Sequence, residues 1–166
     1  RGGGAGLAGP VLYLDLDTVV VGPLAPLLAL AANQGWASFI TLATDKMFNE
    51  QRLGGYNSSV MMWNANDKRF TSIYSFLEEH QVAIQSTTYK FDHWLEMVVT
   101  DATLVQYCCD EMLVLEYAQS CKGLQHPPEN CSIVCFPLQP KPHQCPQLAW
   151  LQNNWHCGDD FQKEAL

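Results

Sequence analysis

The chain has 166 residues, of which 48% are hydrophobic and 16% charged, so it is long enough to bury the core of one domain. Nine basic and 17 acidic residues give a formal charge of −8, which argues against a broad surface for the phosphate backbone of nucleic acid. No apolar run reaches the roughly 18–20 residues of a membrane span, and residues 1–6 lack the apolar centre of a signal peptide. We therefore expect a globular domain with no nucleic-acid partner and no membrane span in this chain.

Predicted strands and helices alternate along the chain, which indicates an α/β fold. We expect a flexible Gly-rich leader over residues 1–10, a single domain over 11–157 and a C-terminal tail over 158–166. Since the sequence lacks an initiator Met, we expect a fragment of a longer protein. The expected strands cover about 11–21, 36–42, 57–63, 112–117 and 132–136, and the expected helices cover about 24–32, 67–81 and 91–100.

Two of these helices have an apolar face at helical spacing. Asn66 or Asp67 can cap the helix over 67–81. Its periodic apolar residues predict a buried scaffold face, made by Phe70, Ile73, Tyr74 and Leu77. In the helix over 91–100, Trp94, Leu95 and Val98 fall on one side. Residues 43–56 and the Pro-rich stretch from Pro137 to Pro146 are expected to be loops.

Two aspartates, Asp15 and Asp17, lie one residue apart in the apolar, β-branched run 11–22. Such a run predicts a buried strand, in which an isolated carboxylate is costly and two close carboxylates repel each other. A divalent metal ion that bridges to phosphate oxygens compensates both effects. The pair therefore indicates metal-dependent phosphate or nucleotide chemistry.

This first motif has two catalytic interpretations. Asp15 and Asp17 can hold a metal that neutralises a nucleotide-sugar diphosphate and makes it a better leaving group. Alternatively, Asp15 is the nucleophile and Asp17 the general acid of a haloacid-dehalogenase-like phosphatase. Residues 15–19 of this chain also fit the Asp-x-Asp-x-Thr/Val signature of those enzymes. A purely structural alternative, in which backbone donors satisfy both carboxylates, stays open as well.

A second motif at residues 54–64 favours the first interpretation. Residues 13–22, followed by YNSSVM at 56–61, resemble the glycogenin-like nucleotide-sugar transferases and their bacterial relatives. The resemblance implies a nucleotide-diphospho-sugar transferase type A fold, with a mixed sheet flanked by helices. It also implies a hexosyltransferase-like activity that uses Mn²⁺ or Mg²⁺ to move a sugar from a nucleotide-sugar donor to a hydroxyl acceptor (glycan, lipid or protein). The family's N-terminal nucleotide-binding part would be missing, because only ten residues precede the first strand.

The resemblance continues into residues 134–143, which are similar to the family's closing motif. Lys141-Pro142 matches its Lys-Pro core, and the lysine is implied to contact the diphosphate. Pro137 stands where the family has a metal-binding histidine. Because proline cannot ligate a metal, His143 or water would have to complete the site, or metal binding is weakened.

Other positions of the resemblance bear on the substrates. Asp92 and His93 stand where the family has a pair that orients sugar and acceptor hydroxyls, although Asp92 is equally suited to cap its helix. Asn57 and Ser58 can bind sugar hydroxyls or simply satisfy a tight turn. The predicted catalytic residues are therefore Asp92 and Lys141, and the other predicted substrate-binding residues are Asn57, Ser58 and His93.

The cysteines and the C-terminus carry weaker signals. No pair of cysteines has CxxC spacing, so free buried thiols in a reducing compartment are favoured over a zinc site formed with His143. Residues 158–160 are acidic but do not follow an apolar strand, so we interpret them as a solvated turn. We expect a cytoplasmic protein, or one of the Golgi lumen if an anchor precedes residue 1. A sugar- or nucleotide-binding module without turnover is the remaining alternative. The seven cysteines are Cys108, Cys109, Cys121, Cys131, Cys135, Cys145 and Cys157.

Overall fold

A computed structural model describes residues 7–47 and 52–155, and these form a mixed α/β fold with two mixed sheets flanked by helices. The strands are β1 (Pro10–Leu14), β2 (Thr18–Val20), β3 (Ile40–Ala43), β4 (Tyr56–Asn64), β5 (Thr103–Leu104), β6 (Val114–Glu116) and β7 (Ile133–Cys135). The α-helices are α1 (Ala25–Asn33), α2 (Thr44–Met47), α3 (Lys68–Thr87), α4 (Phe91–Val98), α5 (Val105–Cys108) and α6 (Ala149–Asn154). A π-helical turn covers Tyr117–Cys121, and a 3₁₀ turn covers Pro142–Gln144.

The strands belong to two sheets. In the first sheet, with the order β1-β4-β3-β5, β4 is antiparallel to β1 and β3, and β3 is parallel to β5. In the second, with the order β2-β7-β6, β7 is antiparallel to β2 and parallel to β6. The α/β class expected from the sequence is thus confirmed.

The prediction of one buried strand over 11–21 is wrong. This run forms β1 in the first sheet and β2 in the second, and a turn between them is closed by a bond from the Thr18 N–H to the Asp15 carbonyl at 3.1 Å. Leu16 at the turn is 95% exposed, and both aspartates are only half-buried. The turn lets the carboxylates keep contact with water, which avoids the desolvation cost of a fully buried strand.

One hydrophobic core joins the two sheets. It contains Ile40 and Met62 from the first sheet and Val114 and Ile133 from the second, with Leu27 of α1 packed among them. These apolar side chains leave water together, so the two sheets stabilise each other. A second cluster lies on the other face of β7, where aromatic rings stack.

The helix α3 differs from the predicted scaffold helix. It begins as expected after Asp67, whose side chain accepts a bond from the Arg69 N–H at 2.9 Å. It then continues to Thr87, with non-helical backbone angles at His80, and none of its residues is buried. Tyr74, expected in the core, is 66% exposed, because the apolar face of α3 borders an open groove instead of a packed layer.

Several boundaries also differ from the sequence prediction. The predicted strand over 36–42 begins only at Ile40, because Gly35 and Trp36 form a turn with φ of 61° and 57°. Val98, expected on the buried side of α4, is exposed.

At the termini, β1 begins within the predicted leader, and the Gly9 carbonyl accepts a bond from the Ala65 N–H at 2.8 Å. Residues 1–6 of that leader and the tail over 158–166 lie outside the described residues. Within residues 7–47 and 52–155, no helix has both the length and the apolar character that crossing a bilayer requires.

Candidate functional site

The Asp15–Asp17 turn lies where the two sheets meet. The Asp15 N–H donates to the Ser59 carbonyl in β4 at 3.0 Å, so the first aspartate is attached to the first sheet. The Phe136 N–H, directly after β7, donates to the Asp17 carbonyl at 2.9 Å, so the second aspartate is attached to the second sheet. The spacing of the two carboxylates therefore depends on how the two sheets pack.

Lys141 reaches this turn from the distant Pro-rich loop. Its ammonium donates to Asp17 Oδ2 at 2.5 Å, to the Phe136 carbonyl at 2.8 Å and to the Pro137 carbonyl at 3.2 Å. An ammonium has three N–H groups, so all its donors are used. The structure thus brings Lys141 of the segment 134–143 into direct contact with Asp17 of the first motif.

The Asp15 carboxylate is held by a phenol. The Tyr13 hydroxyl donates to Asp15 Oδ1 at 2.7 Å, and this bond, with burial and the nearby negative charges, raises the pKa of Tyr13 to about 12. Burial also raises the pKa of Asp15, and the charges of Asp17 and Asp92 raise it further. The Tyr13 bond and the Lys141 charge oppose that rise. A carboxylate in this position would gain stability from an additional cation.

The second sequence motif forms an irregular segment of β4. The pairing of β4 with β3 shifts its register between Ile40 and Leu42, and side chains accept two backbone N–H groups of this segment. The Asn57 side chain accepts the Ser59 N–H at 3.1 Å, and Asp92 Oδ1 accepts the Ser58 N–H at 3.0 Å. Asn57 thus satisfies a backbone N–H group within the irregular part of β4. The bond to Ser58 also holds the Asp92 side chain of α4 in place.

A cleft of about 440 Å³ opens over the aspartate turn. Asp15, Asp17, Lys141 and the predicted metal ligand His143 line it. Two further lining residues, Tyr13 and Trp155, were not singled out as site residues. The indole N–H of Trp155 donates to the Leu16 carbonyl at 3.2 Å. Tyr13 belongs to the motif at residues 13–22. Nothing in the sequence around Trp155 indicates that this residue returns to the aspartate turn.

The other predicted substrate-binding residues, Asn57, Ser58, Asp92 and His93, do not line the cleft. Asp92 is close enough for its charge to act on Asp15, and Ser58 is half-buried beside it. Asn57 is only 2% exposed, and its side chain serves the bulge. His93 is not among the residues that line the cleft. Pro137 contributes its carbonyl to Lys141 but no ligand side chain.

The donor set of the cleft suits a hard cation. Oxygen ligands from one or two carboxylates, completed by water and substrate phosphates, are what Mg²⁺ commonly uses in proteins. Among the described residues, no three or more His, Cys, Asp or Glu side chains form a group that could hold a metal. A metal would therefore depend on Asp15, Asp17 and ligands that the protein does not supply.

None of the six cysteines within residues 7–47 and 52–155 lines this cleft, and Cys157 lies outside the described residues. Cys121, Cys131, Cys135 and Cys145 are buried free thiols, as the sequence favoured. Burial raises the pKa of the Cys131 thiol to about 11, which keeps it protonated and unreactive.

No protein-family model, no curated protein and no solved structure matches this chain.

Proposed function

We propose that this domain is a metal-dependent glycosyltransferase that moves a sugar from a nucleotide diphosphate donor to a hydroxyl acceptor. The observation that carries the proposal is the direct contact between Lys141 and Asp17, which are 124 residues apart. A metal-binding aspartate pair and a diphosphate-binding lysine are useful to this chemistry only if they adjoin each other. We also propose a nucleotide-diphospho-sugar transferase type A fold. The mixed sheets and the resemblance at residues 13–22 and 56–61 support it.

The residues of the cleft can divide the work. Asp15 and Asp17 would hold Mn²⁺ or Mg²⁺, which screens the diphosphate and makes it a better leaving group. Lys141 would move a donor from Asp17 to a diphosphate oxygen, where a point charge stabilises the departing group. Tyr13 keeps Asp15 oriented through its hydroxyl bond.

The acceptor would be bound by Asp92, whose charge acts on Asp15 from beside the cleft. One of its oxygens already accepts the Ser58 N–H, so the carboxylate is held in place and can accept a bond from a sugar or acceptor hydroxyl. Ser58 and His93 would add polar contacts near it. Asn57 would act indirectly, by holding the bulge, and His143 would supply a ligand from the rim of the cleft.

Thermal-shift measurements with nucleotide sugars, with and without Mn²⁺, test this proposal. A donor at 100 times its dissociation constant would stabilise the protein by about 2.7 kcal/mol, which corresponds to several degrees in Tm. We expect this shift only with Mn²⁺, and we expect Asp17→Ala to abolish it. Asp101→Ala is the matched control, because Asp101 is exposed and lies outside the residues lining the cleft.

Activity assays separate the alternatives. Metal-dependent hydrolysis of a nucleotide sugar, without activity on phosphate esters, would support the transferase. Phosphatase activity that Asp15→Asn abolishes would replace it with the phosphoaspartyl mechanism. Donor binding without hydrolysis or transfer would indicate a binding module, and the absence of any nucleotide response would overturn the proposal.

A further inference from the structure

An apolar groove of about 570 Å³ lies on the face of the first sheet that carries α3 and α4. Its walls are almost entirely carbon, and its volume is in the range of sites that hold small organic ligands. No residue of the proposed transfer chemistry lines it. Its principal lining residues are Phe39, Met61, Trp63, Phe70, Ile73 and Trp94.

One cross-strand pair connects the lining of the groove with the lining of the carboxylate cleft. Tyr13 in β1 pairs directly with Met61 in β4, so the two side chains are neighbours on one face of the sheet. Met61 lines the groove, whereas Tyr13 lines the cleft and bonds Asp15. On α4, Asp92 lies next to Phe91, another groove residue.

This junction specifies the chemistry of the occupant. An apolar chain loses contact with water in the groove, while hydroxyl groups can donate to the carboxylates at its end. An anionic head is disfavoured, because Asp15 lines the neighbouring cleft, the charge of Asp92 acts on Asp15, and the whole chain is acidic.

We propose that the groove binds the apolar chain of an uncharged, hydroxyl-bearing amphiphile, such as a glycolipid, whose head lies at Asp92 beside the cleft. This assignment rests on the proposed function, for which it names the acceptor class. Binding of the acceptor's apolar chain, which does not react, would position its hydroxyl head beside the diphosphate cleft.

Binding of n-octyl β-D-glucoside below its micelle concentration tests the assignment, with intrinsic tryptophan fluorescence as the readout. Two comparison ligands separate the contributions: glucose carries only the head, and tetraethylene glycol mono-octyl ether carries the same chain on a polyether head with a single hydroxyl. We expect wild-type protein to bind the glucoside about tenfold or more tightly than either. Asp92→Asn should lower the preference over the ether severalfold, while its side-chain oxygen still accepts the Ser58 N–H.

Two variants of α3 locate the site. Ile73→Glu puts a charge into the groove and should weaken glucoside binding about tenfold or more. Val82→Glu, on the same helix but outside the groove lining, should leave it unchanged. Since no residue of α3 is buried, both variants are expected to fold, which circular dichroism would verify.

Three outcomes would overturn the assignment. They are equal affinity for both octyl compounds, no effect of Ile73→Glu on glucoside binding, and a dimer that Ile73→Glu dissociates but Val82→Glu does not. The dimer would identify a second copy of the chain as the occupant of the groove.

All glucoside binding is measured without metal or nucleotide, so failure of this assignment can be distinguished from failure of the proposed function. Nucleotide-sugar stabilisation without glucoside preference would overturn the acceptor class alone. Glucoside preference without a nucleotide response would uphold the groove as an amphiphile site and overturn the transferase.

Discussion

At the scale of single residues, Lys141 is the most constrained group of the cleft. Its three donors are bound to Asp17 and two carbonyls, so it can contact a diphosphate only after giving up one of these bonds. A divalent cation held by the aspartate pair needs the same Asp17 carboxylate. The ammonium and the metal therefore compete for one carboxylate, and their exchange would couple metal binding to the release of Lys141.

Lys141→Met tests this competition. Methionine keeps much of the apolar stem but removes the charge. We expect Mn²⁺ to bind about five- to tenfold more tightly, measured by calorimetry, and the metal-free protein to lose about 1–2 kcal/mol of stability. Lys46→Met, which breaks an exposed pair with Glu111 at 3.0 Å, is the matched control and should not change Mn²⁺ affinity. Weaker Mn²⁺ binding in Lys141→Met would show that the two cations do not compete.

Asp15 gives a pH-dependent prediction. Because its pKa is raised in the folded state, its neutral form is favoured by folding, and this contribution is lost as pH rises through the folded pKa. Asp15→Asn keeps an acceptor for Tyr13 without the charge. In EDTA at pH 8 its Tm should exceed that of wild type by about 1–2 °C, and the difference should vanish as pH falls towards the unfolded pKa of aspartate. A constant difference across pH 4–8 would contradict this explanation, and Asp101→Asn serves as the exposed control.

At the scale of elements, α3 and α4 both line the apolar groove but bury their leucines to different extents. Leu95 of α4 is 2% exposed and packs in a core with Phe39 and Val99. Leu77 of α3 is half-buried at the groove. Both leucines line the groove, but Leu95 is almost fully packed whereas Leu77 is only partly covered.

Truncation of these two leucines measures that difference. Leu95→Ala should cost about 2–4 kcal/mol, as expected for a core cavity, whereas Leu77→Ala should cost less than about 1 kcal/mol. Urea denaturation of both variants gives the two values. Equal losses would mean that α3 is part of the scaffold after all.

The sequence predicted local elements better than their environment. Asp67 identified the start of α3, and the apolar run at 57–63 identified β4 to within one residue at each end. The turn at Leu16 was missed because β-branched residues on both sides support one continuous strand, and only tertiary pairing separates β1 from β2. The sequence brought Asp15, Asp17 and Lys141 into one hypothesis through resemblance. It could not predict Trp155, whose position depends on how α6 packs.

At the scale of the whole molecule, the shared core predicts cooperative unfolding. Residues of both sheets belong to one hydrophobic cluster, so neither sheet should remain folded alone. Trp63 reports on the first sheet and Trp150 on the cluster beside the second. In single-tryptophan variants that keep one or the other, urea midpoints should coincide with the midpoint from circular dichroism. Two separate transitions would show that the sheets unfold independently.

The attachment of Asp15 to β4 and of Asp17 to β7 has a mechanical consequence. The affinity for a cation bound by both carboxylates would depend on the angle between the sheets. Rotation of one sheet relative to the other changes the distance between the two carboxylates that the ion must bridge. Linkage is reciprocal, so any ligand that alters this angle changes the affinity for the ion, and the ion in turn resists the movement by the same free energy.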